Sequence, residues 1–217
     1  MLNFLAVYGY KASREKAQLC QKLVRYLGLI ISEGTSAIGP EKIKPILNHT
    51  EPMALRQLRG FWGITGYCRS WILGYGELVR PLYKLIAETQ QAQTDKLIWS
   101  PETQKAFKIL QTALLQAPAL SLPTGSEFIL FVTERKGMTL GVLTQPGGPH
   151  QQPIAYLSRE LDVISRGWPH CLRVIWAAAL LTPESLMIIN GHNLTVLTSH
   201  DVSGILNSKV NIWMTDS

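Results

Sequence analysis

The spacing of hydrophobic residues changes twice along the chain and divides it into three parts. The first part ends in the β-rich run "LVRYLGLIIS", where Gly28 indicates a bulge or a close backbone approach. From Pro40 to Ala117 the hydrophobic residues recur at helical spacing. Short alternating runs then predict strands around a single helix. We therefore predict three modules, at residues 1–34, 35–117 and 118–217.

Helix and strand signals refine this division. The middle part contains four predicted helices: "GPEKIKPILN", "PMALRQLRGFWGITGYCRSWI", "GELVRPLYKLIAE" and "SPETQKAFKILQTALLQA". We expect Pro81 to interrupt the third, because proline removes a backbone donor, whereas Ser100 and Pro101 are typical of a helix start. In the last part "EFILFVT", "MTLGVLTQ", "QPIAYLS" and "NLTVLTSH" are predicted strands, and "PHCLRVIWAAALL" is a predicted helix that Pro183 closes.

Charge is distributed unevenly over these parts. The 217 residues carry a formal net charge of +6. All of this excess lies in residues 1–90, which hold twelve Lys or Arg, six Glu and no Asp. Such asymmetry indicates that this part faces a polyanion, most simply nucleic acid, although an ordinary basic surface would have the same composition.

Composition and cysteine usage set the class of protein. Hydrophobic residues at 46% and charged residues at 17% describe a folded chain, not a disordered one. The three cysteines are far apart and form no CxxC, which predicts reduced thiols in a cytoplasmic or nuclear protein rather than a secreted one. No signal peptide is recognised and the longest apolar stretch is too short to span a bilayer, so no membrane association is expected.

Five collinear blocks resemble a gammaretrovirus-type reverse transcriptase, in the order of that enzyme and over nearly the whole chain. They read "GYKASREKAQLCQKLVRYLG", "LRQLRGFWGITGYCRSWILGYGELVRPLYKL", "QTALLQAPALSLP", "GVLTQPGGPHQQPIAYLSRELD" and "GWPHCLRVIWAAALL". The resemblance implies a small β-rich remnant of the palm at 1–34, a helical thumb at 35–117 and a ribonuclease H-like connection domain at 118–217. The expected fold class is α/β, and α+β overall. We interpret the chain as an endogenous retroviral fragment of Pol.

The polymerase chemistry of that family is not expected here. Reverse transcriptases hold two Mg²⁺ with palm aspartates, because hard cations need oxygen ligands close together. This sequence has four aspartates, none of them in residues 1–34 and no two adjacent. The Tyr-x-Asp-Asp turn of the family would precede the block that begins here at Leu2.

Ribonuclease H chemistry is not expected either. Active relatives of this domain place Asp on the first strand, Glu at the start of the central helix, and Asp on a later strand. The resemblance puts Thr133, His170 and Ser199 at these positions. Two hydroxyls and one imidazole are too poor in charge for Mg²⁺, and the following Glu134 should point to the opposite face of its strand. We therefore predict a degenerate site, with no catalytic or metal-binding residues and no cofactor.

Binding residues are expected instead. Arg59, Gly63 and Tyr67 are spaced i, i+4, i+8 and share one helix face, which the resemblance places along the minor groove of a template–primer duplex. Glycine would let the helix approach, Tyr67 would pack on sugars, and Arg59 would supply charge. Alternatively, Gly63 and Gly66 allow close helix packing, and Tyr67 belongs to the core.

The run "VRYLG" resembles the primer grip hairpin, in which Tyr26, Leu27 and Gly28 would touch the primer end; otherwise it is an ordinary β-turn. Phosphate contacts are predicted for four basic residues of the first part, although a solvated basic face is the alternative for each. They are Lys11, Arg14, Lys16 and Lys22.

The leading hypothesis is thus a catalytically inactive reverse transcriptase fragment that binds RNA–DNA hybrid or duplex weakly and without sequence preference. A second hypothesis is a protein-interaction module that exposes an apolar face carrying Trp62 and Trp71 to other Pol domains or to a second copy. A third is a translated remnant without function. No small-molecule ligand is expected.

Overall fold

The computed structural model describes residues 20–200 apart from 49 and 92–94, and in addition residues 4, 7–11, 13, 15, 17, 18 and 204. The strands are β1 Leu23–Tyr26, β2 Leu29–Ser32, β3 Thr35–Ile38, β4 Leu120–Ser121, β5 Glu127–Arg135, β6 Met138–Gly147, β7 His150–Glu160 and β8 Asn193–Thr198. The α-helices are α1 Pro40–Leu47, α2 Leu55–Tyr67, α3 Tyr75–Gln91, α4 Pro101–Leu115, α5 Val163–Arg166 and α6 His170–Ile188. A 3₁₀ turn covers Arg69–Trp71. The mixed α/β class is confirmed.

The first sheet joins residues from all three predicted modules. Its strand order is β1-β2-β3-β4, with every neighbouring pair antiparallel. The predicted boundaries at 34/35 and 117/118 each fall between strands that pair in this sheet. The Nε1 of Trp71 also donates to the Ser36 carbonyl at 3.0 Å, which ties the sheet to the helical layer. The division into three modules stays a prediction about ancestry.

The helical layer has its own core. Buried side chains of α1, α2, α3 and α4 form one cluster, in which the rings of Phe61 and Phe107 pack at a tilt of 40° with centroids 4.5 Å apart. The N-cap prediction is confirmed, since the Ser100 side chain accepts from the Thr103 amide. The predicted interruption at Pro81 is wrong: α3 runs through it, because buried residues on both sides outweigh one lost hydrogen bond.

The second sheet has the order β7-β6-β5-β8, with β5 and β8 parallel and the other pairs antiparallel. Helix α6 covers one face through Val174, Ala177 and Leu181, all fully buried. The prediction that Pro183 closes this helix is wrong, because α6 continues to Ile188 with Ser185 buried. Among the described residues, α6 alone has the length and composition that could cross a membrane.

Polar contacts join the helical layer to the second sheet. The Gly76 amide donates to Ser158 Oγ at 2.8 Å. Glu184 on α6 accepts from Arg69 and from Arg159, each at 3.1 Å, and its side chain is only 14% exposed. These contacts fix the start of α3 against β7 and α6.

Candidate nucleic-acid interface

The β1–β2 hairpin ends in a two-residue turn. Leu27 has φ 50° and Gly28 has φ 82°, and Tyr26 pairs directly with Leu29. Positive φ at both central residues defines a type I′ turn, whose twist matches the flanking strands. The predicted hairpin is therefore present, and the side chains of Tyr26 and Leu27 are 59% and 67% exposed at its tip.

Two helices contact this turn. The hydroxyl of Tyr67, the last residue of α2, donates to the Leu27 carbonyl at 3.1 Å. The stem of Lys42 on α1 crosses Gly28 so closely that a Cβ there would lie 2.3 Å from Lys42 Cε. The close backbone approach expected at Gly28 is thus confirmed. The Nζ of Lys42 lies 4.7 Å from the centre of the Tyr67 ring, which is a cation–π distance.

The outer face of α2 is open. Arg59 and Gly63 are exposed, and among the described residues no atom beyond the helix's own backbone and the neighbouring residues lies within 4 Å of a Cβ built at Gly63. Tyr67, two turns from Arg59, is 41% exposed. The buried residues of α2 lie on the opposite side and are Leu55, Leu58, Phe61 and Thr65. A duplex backbone could therefore approach the helix at Gly63 without displacing any side chain.

The packing alternative holds for one glycine only. A Cβ at Gly66 would lie 3.6 Å from the Tyr75 hydroxyl, so this glycine faces α3. The same hydroxyl lies 3.2 Å from Thr65 Oγ1, and burial raises the pKa of Tyr75 to about 12 although the Thr65 hydrogen bond opposes the shift. Gly66 thus lies at the helix contact, whereas Gly63 does not.

Positive charge lines this face. Arg56 and Arg59 are exposed, and neither forms an ion pair within the described parts of the chain. Lys11 and Lys22 are exposed as well. Two further predicted phosphate contacts, Arg14 and Lys16, lie outside the described residues.

The three ribonuclease H-like positions belong to three different segments: β5, the residues after β8, and the start of α6. Thr133 is exposed on the face of β5 away from α6, and Ser199 follows the paired strand β8 on the same side. Both line a cavity of about 820 Å³ beneath the start of α3, next to Leu73 and Glu77. His170 begins α6, which covers the other face of the sheet. Ser199 Oγ lies 3.1 Å from His200 Nδ1, and the His200 ring lies 4.9 Å from the His170 ring, so Ser199 and His170 are neighbours through His200. The assignment of the three positions stays a prediction.

Glu134, not Thr133, lies next to His170. Its side chain is 1% exposed, and its Oε2 accepts from His170 Nδ1 at 3.0 Å and from Arg173 Nε at 3.1 Å. Its Oε1 accepts from the Gly137 amide at 2.7 Å. The prediction that Glu134 points away from Thr133 is confirmed, and the contact with Arg173 neutralises the carboxylate.

Other acidic groups have structural partners too. Asp162 caps α5, and hydrogen bonds from the Ser165 amide and hydroxyl hold the pKa of its carboxyl below the usual range. In the part of the chain that the structure describes, no three His, Cys, Asp or Glu side chains are grouped so that they could hold a metal ion.

The exposure of Trp62 and Trp71 also differs from expectation. Trp62 is 37% exposed and packs edge-on against Tyr83 at 4.8 Å, whereas Trp71 is half-buried between the helices and the first sheet. The hypothesis of one exposed face carrying both residues is therefore wrong. Trp176 on α6 and Trp168, which precedes the helix, form an exposed ring pair with centroids 6.0 Å apart.

The chain is similar in sequence to known retroviral proteins. Residues 99–196 match the family described as the RNase H-like domain found in reverse transcriptase. The whole chain is 43% identical to part of the Gag-Pol polyprotein of baboon endogenous virus (strain M7), and 42% identical to part of the Pol polyprotein of feline endogenous virus ECE1. The chain belongs with the reverse transcriptase region of gammaretroviral Pol. The resemblance in its sequence is thereby confirmed.

This Pol segment spans 12% and 20% of the length of those two relatives. Its fold matches the foamy viral protease-reverse transcriptase in two solved complexes. With double-stranded DNA the TM-score is 0.83 at 21% identity, over 95% of this chain and 36% of the other. With RNA/DNA hybrid the TM-score is 0.79 at 20% identity, over 91% of this chain and 26% of the other.

Sequence reasoning missed two residues of this interface and its neighbourhood. No motif assigned a role to Lys42 or Arg173, because the partner of each is distant in sequence. For Glu134 a signal was present, since Phe128, Leu130 and Val132 share its strand face and are buried. The signal was ambiguous because Ile129 and Phe131 between them are also apolar.

Proposed function

We propose that this Pol segment is a catalytically inactive reverse transcriptase fragment that binds nucleic-acid duplexes through the outer face of α2 and the β1–β2 turn. It binds RNA–DNA hybrid or other A-like duplex by recognising the shape and the backbone of the duplex, and it has no preference among sequences. The proposal includes a cytoplasmic or nuclear location.

One observation carries the proposal: the open helix surface at Gly63, bounded by the exposed Arg59 and Tyr67. A glycine on an exposed helix face costs stability, so an interior glycine there needs a reason other than packing. Close approach of a sugar–phosphate backbone supplies that reason, and Arg56 and Arg59, which have no ion pair among the described residues, supply charge for phosphates. Further support comes from the duplexes bound by the foamy viral relatives of the same fold.

The inactivity is supported by the chemistry of the acidic residues. Two-metal catalysis needs several carboxylates around one site. At the corner between β5 and α6 Glu134 is buried against Arg173, and the neighbouring groups are His170 and His200, with ring centroids 4.9 Å apart. The partly exposed guanidinium of Arg173 contacts the Glu134 carboxylate at 3.1 Å, so this carboxylate already has a cationic partner.

The binding proposal is tested by fluorescence anisotropy with a labelled RNA–DNA hybrid over a range of salt concentrations. We expect the logarithm of the affinity to fall linearly with the logarithm of the salt concentration, because bound cations are released from the phosphates. Hybrids of unrelated sequence should bind equally. Absence of saturable binding at low salt would contradict the proposal.

The inactivity is tested by primer extension and hybrid cleavage with Mg²⁺ or Mn²⁺. We expect neither product. Activity that persists through several purification steps and is lost in a Glu134→Gln variant would overturn the assignment.

A second candidate function is protein contact through α6. Trp176 and the 74% exposed Met187 lie on this helix, and Trp168 packs against Trp176 from the preceding turn. Other parts of Pol or a second copy could cover this apolar surface. Sedimentation equilibrium tests self-association, which a Trp176→Ser variant should weaken; a monomer at high concentration would exclude the second copy.

A further inference from the structure

The β1–β2 turn has an unusual residue at its tip. Type I′ turns favour Asn-Gly or Asp-Gly, because both central residues need positive φ. Here the first central residue is Leu27, at φ 50°, a conformation that side chains with a Cβ disfavour. Its side chain is 67% exposed and gains little packing in return. The conformation costs free energy, which contacts from outside the hairpin would offset.

Both carbonyls of the turn have such contacts. The Leu27 carbonyl accepts from the Tyr67 hydroxyl at 3.1 Å, and the Gly28 carbonyl accepts from the Gly39 amide at 2.9 Å. Lys42 lies between these two anchors, with its stem on Gly28 and its ammonium over the Tyr67 ring. The turn, the start of α1 and the end of α2 thus form one contact unit.

We infer that Tyr67 and Lys42 are positioning residues that hold the strained Leu27–Gly28 turn against α2, so that the turn and the Gly63 face meet a duplex as one preformed surface. This inference rests on the proposed function. It also changes the role of Tyr67, whose hydroxyl serves the turn while its ring edge remains available to the duplex. A surface ordered before binding avoids the entropy cost of ordering a loop on the ligand.

The decisive variant is Tyr67→Phe, which keeps the ring and the cation–π contact but removes the hydroxyl. Without duplex, hydrogen exchange of the Gly39 amide should become about three- to tenfold faster, because that amide donates to the turn. Duplex affinity should fall by a similar factor while the salt dependence stays unchanged, since no phosphate contact is lost. Lys42→Met, which retains the stem, should have a smaller effect on exchange.

Two further variants complete the experiment. Tyr83→Phe alters a tyrosine of α3 that is equally exposed but remote from the turn, so Gly39 exchange should not change. Leu27→Asn, which tolerates positive φ, should suppress the exchange effect of Tyr67→Phe in the double variant. If wild-type protein binds hybrid and Tyr67→Phe changes neither exchange nor affinity, the positioning role is overturned. If wild-type protein does not bind hybrid, the proposed function itself fails.

Discussion

Two surfaces of this Pol segment, the predicted duplex-binding face of α2 and the predicted degenerate ribonuclease H-like corner, differ in how their charged groups are paired. The outer face of α2 leaves Arg59 without an ion pair and Gly63 without a neighbour, as far as the described residues extend. The corner between β5 and α6 instead pairs each of its charges internally. There Glu134 is buried and accepts from both His170 and Arg173.

The difference teaches that charge alone does not mark a binding site. An exposed cation keeps its hydration and can exchange it for a phosphate. A buried carboxylate has lost its hydration and depends on its internal partners, so it stabilises the fold only while those partners remain. The α2 face is therefore available for binding, whereas the β5–α6 corner is part of the folded core.

The largest expected effect concerns the corner between β5 and α6. Glu134→Ala removes the buried carboxylate that accepts from the Gly137 amide and from Arg173. Because the remaining guanidinium is partly exposed, the cost is that of the lost buried hydrogen-bond acceptor, about 1–3 kcal/mol. We expect a loss of that order in the free energy of unfolding, measured by urea denaturation. Glu127→Ala, on an exposed residue of the same strand, should change it by less than about 0.5 kcal/mol. Equal losses in the two variants would show that the corner is not specially dependent on its carboxylate.

The next effect tests the open face. Gly63→Val should weaken hybrid binding by about tenfold or more, which is about 1.4 kcal/mol, because a branched side chain holds the helix away from the backbone. The melting temperature should stay level or rise, since nothing lies within 4 Å of the added Cβ. Gly63→Ala is the matched variant: it should weaken binding less and stabilise the protein by about 0.5–1 kcal/mol. Unfolding caused by valine would place Gly63 in buried packing.

A smaller effect concerns charge on the same face. Arg59→Ala should weaken binding and lower the salt slope by about one phosphate equivalent. Lys108→Ala removes an exposed cation of α4 outside the proposed face and should leave the slope unchanged. Identical slopes for Arg59→Ala and wild type, from anisotropy titrations at four or more salt concentrations, would remove Arg59 from the interface.

The smallest effect concerns Cys68, the buried residue directly after α2. Burial raises the pKa of the Cys68 thiol to about 11, although Lys42 nearby opposes the shift. At pH 8 only about one thiol in a thousand would then be thiolate, which is the reactive form. We expect iodoacetamide to label the exposed Cys20 of the native protein and to spare Cys68, as read by peptide mass spectrometry. Rapid labelling of Cys68 would mean that the helical layer opens easily.

Short-range patterns in the sequence determined the secondary structure well. The hairpin "LVRYLGLIIS", the helix cap at Ser100 and the strand–turn–strand of β5 and β6 depend on neighbouring residues, and all are present. The two prolines were misjudged for one reason. Local propensity penalises a proline inside a helix, but the burial of α3 and α6 against their neighbours outweighs that penalty.

The sequence by itself also indicated that Arg59, Gly63 and Tyr67 share one face of α2, because helical spacing sets which residues share a face, but it left open whether that face is packed. Only the tertiary structure decided which side chains meet. Glu134 contacts partners 36 and 39 residues away, and Tyr67 reaches the Leu27 carbonyl across 40 residues. The apolar run Phe128–Val132 has no alternation to reveal which strand face is buried. Burial against α6 decides it, and so places Glu134 rather than Thr133 beside His170.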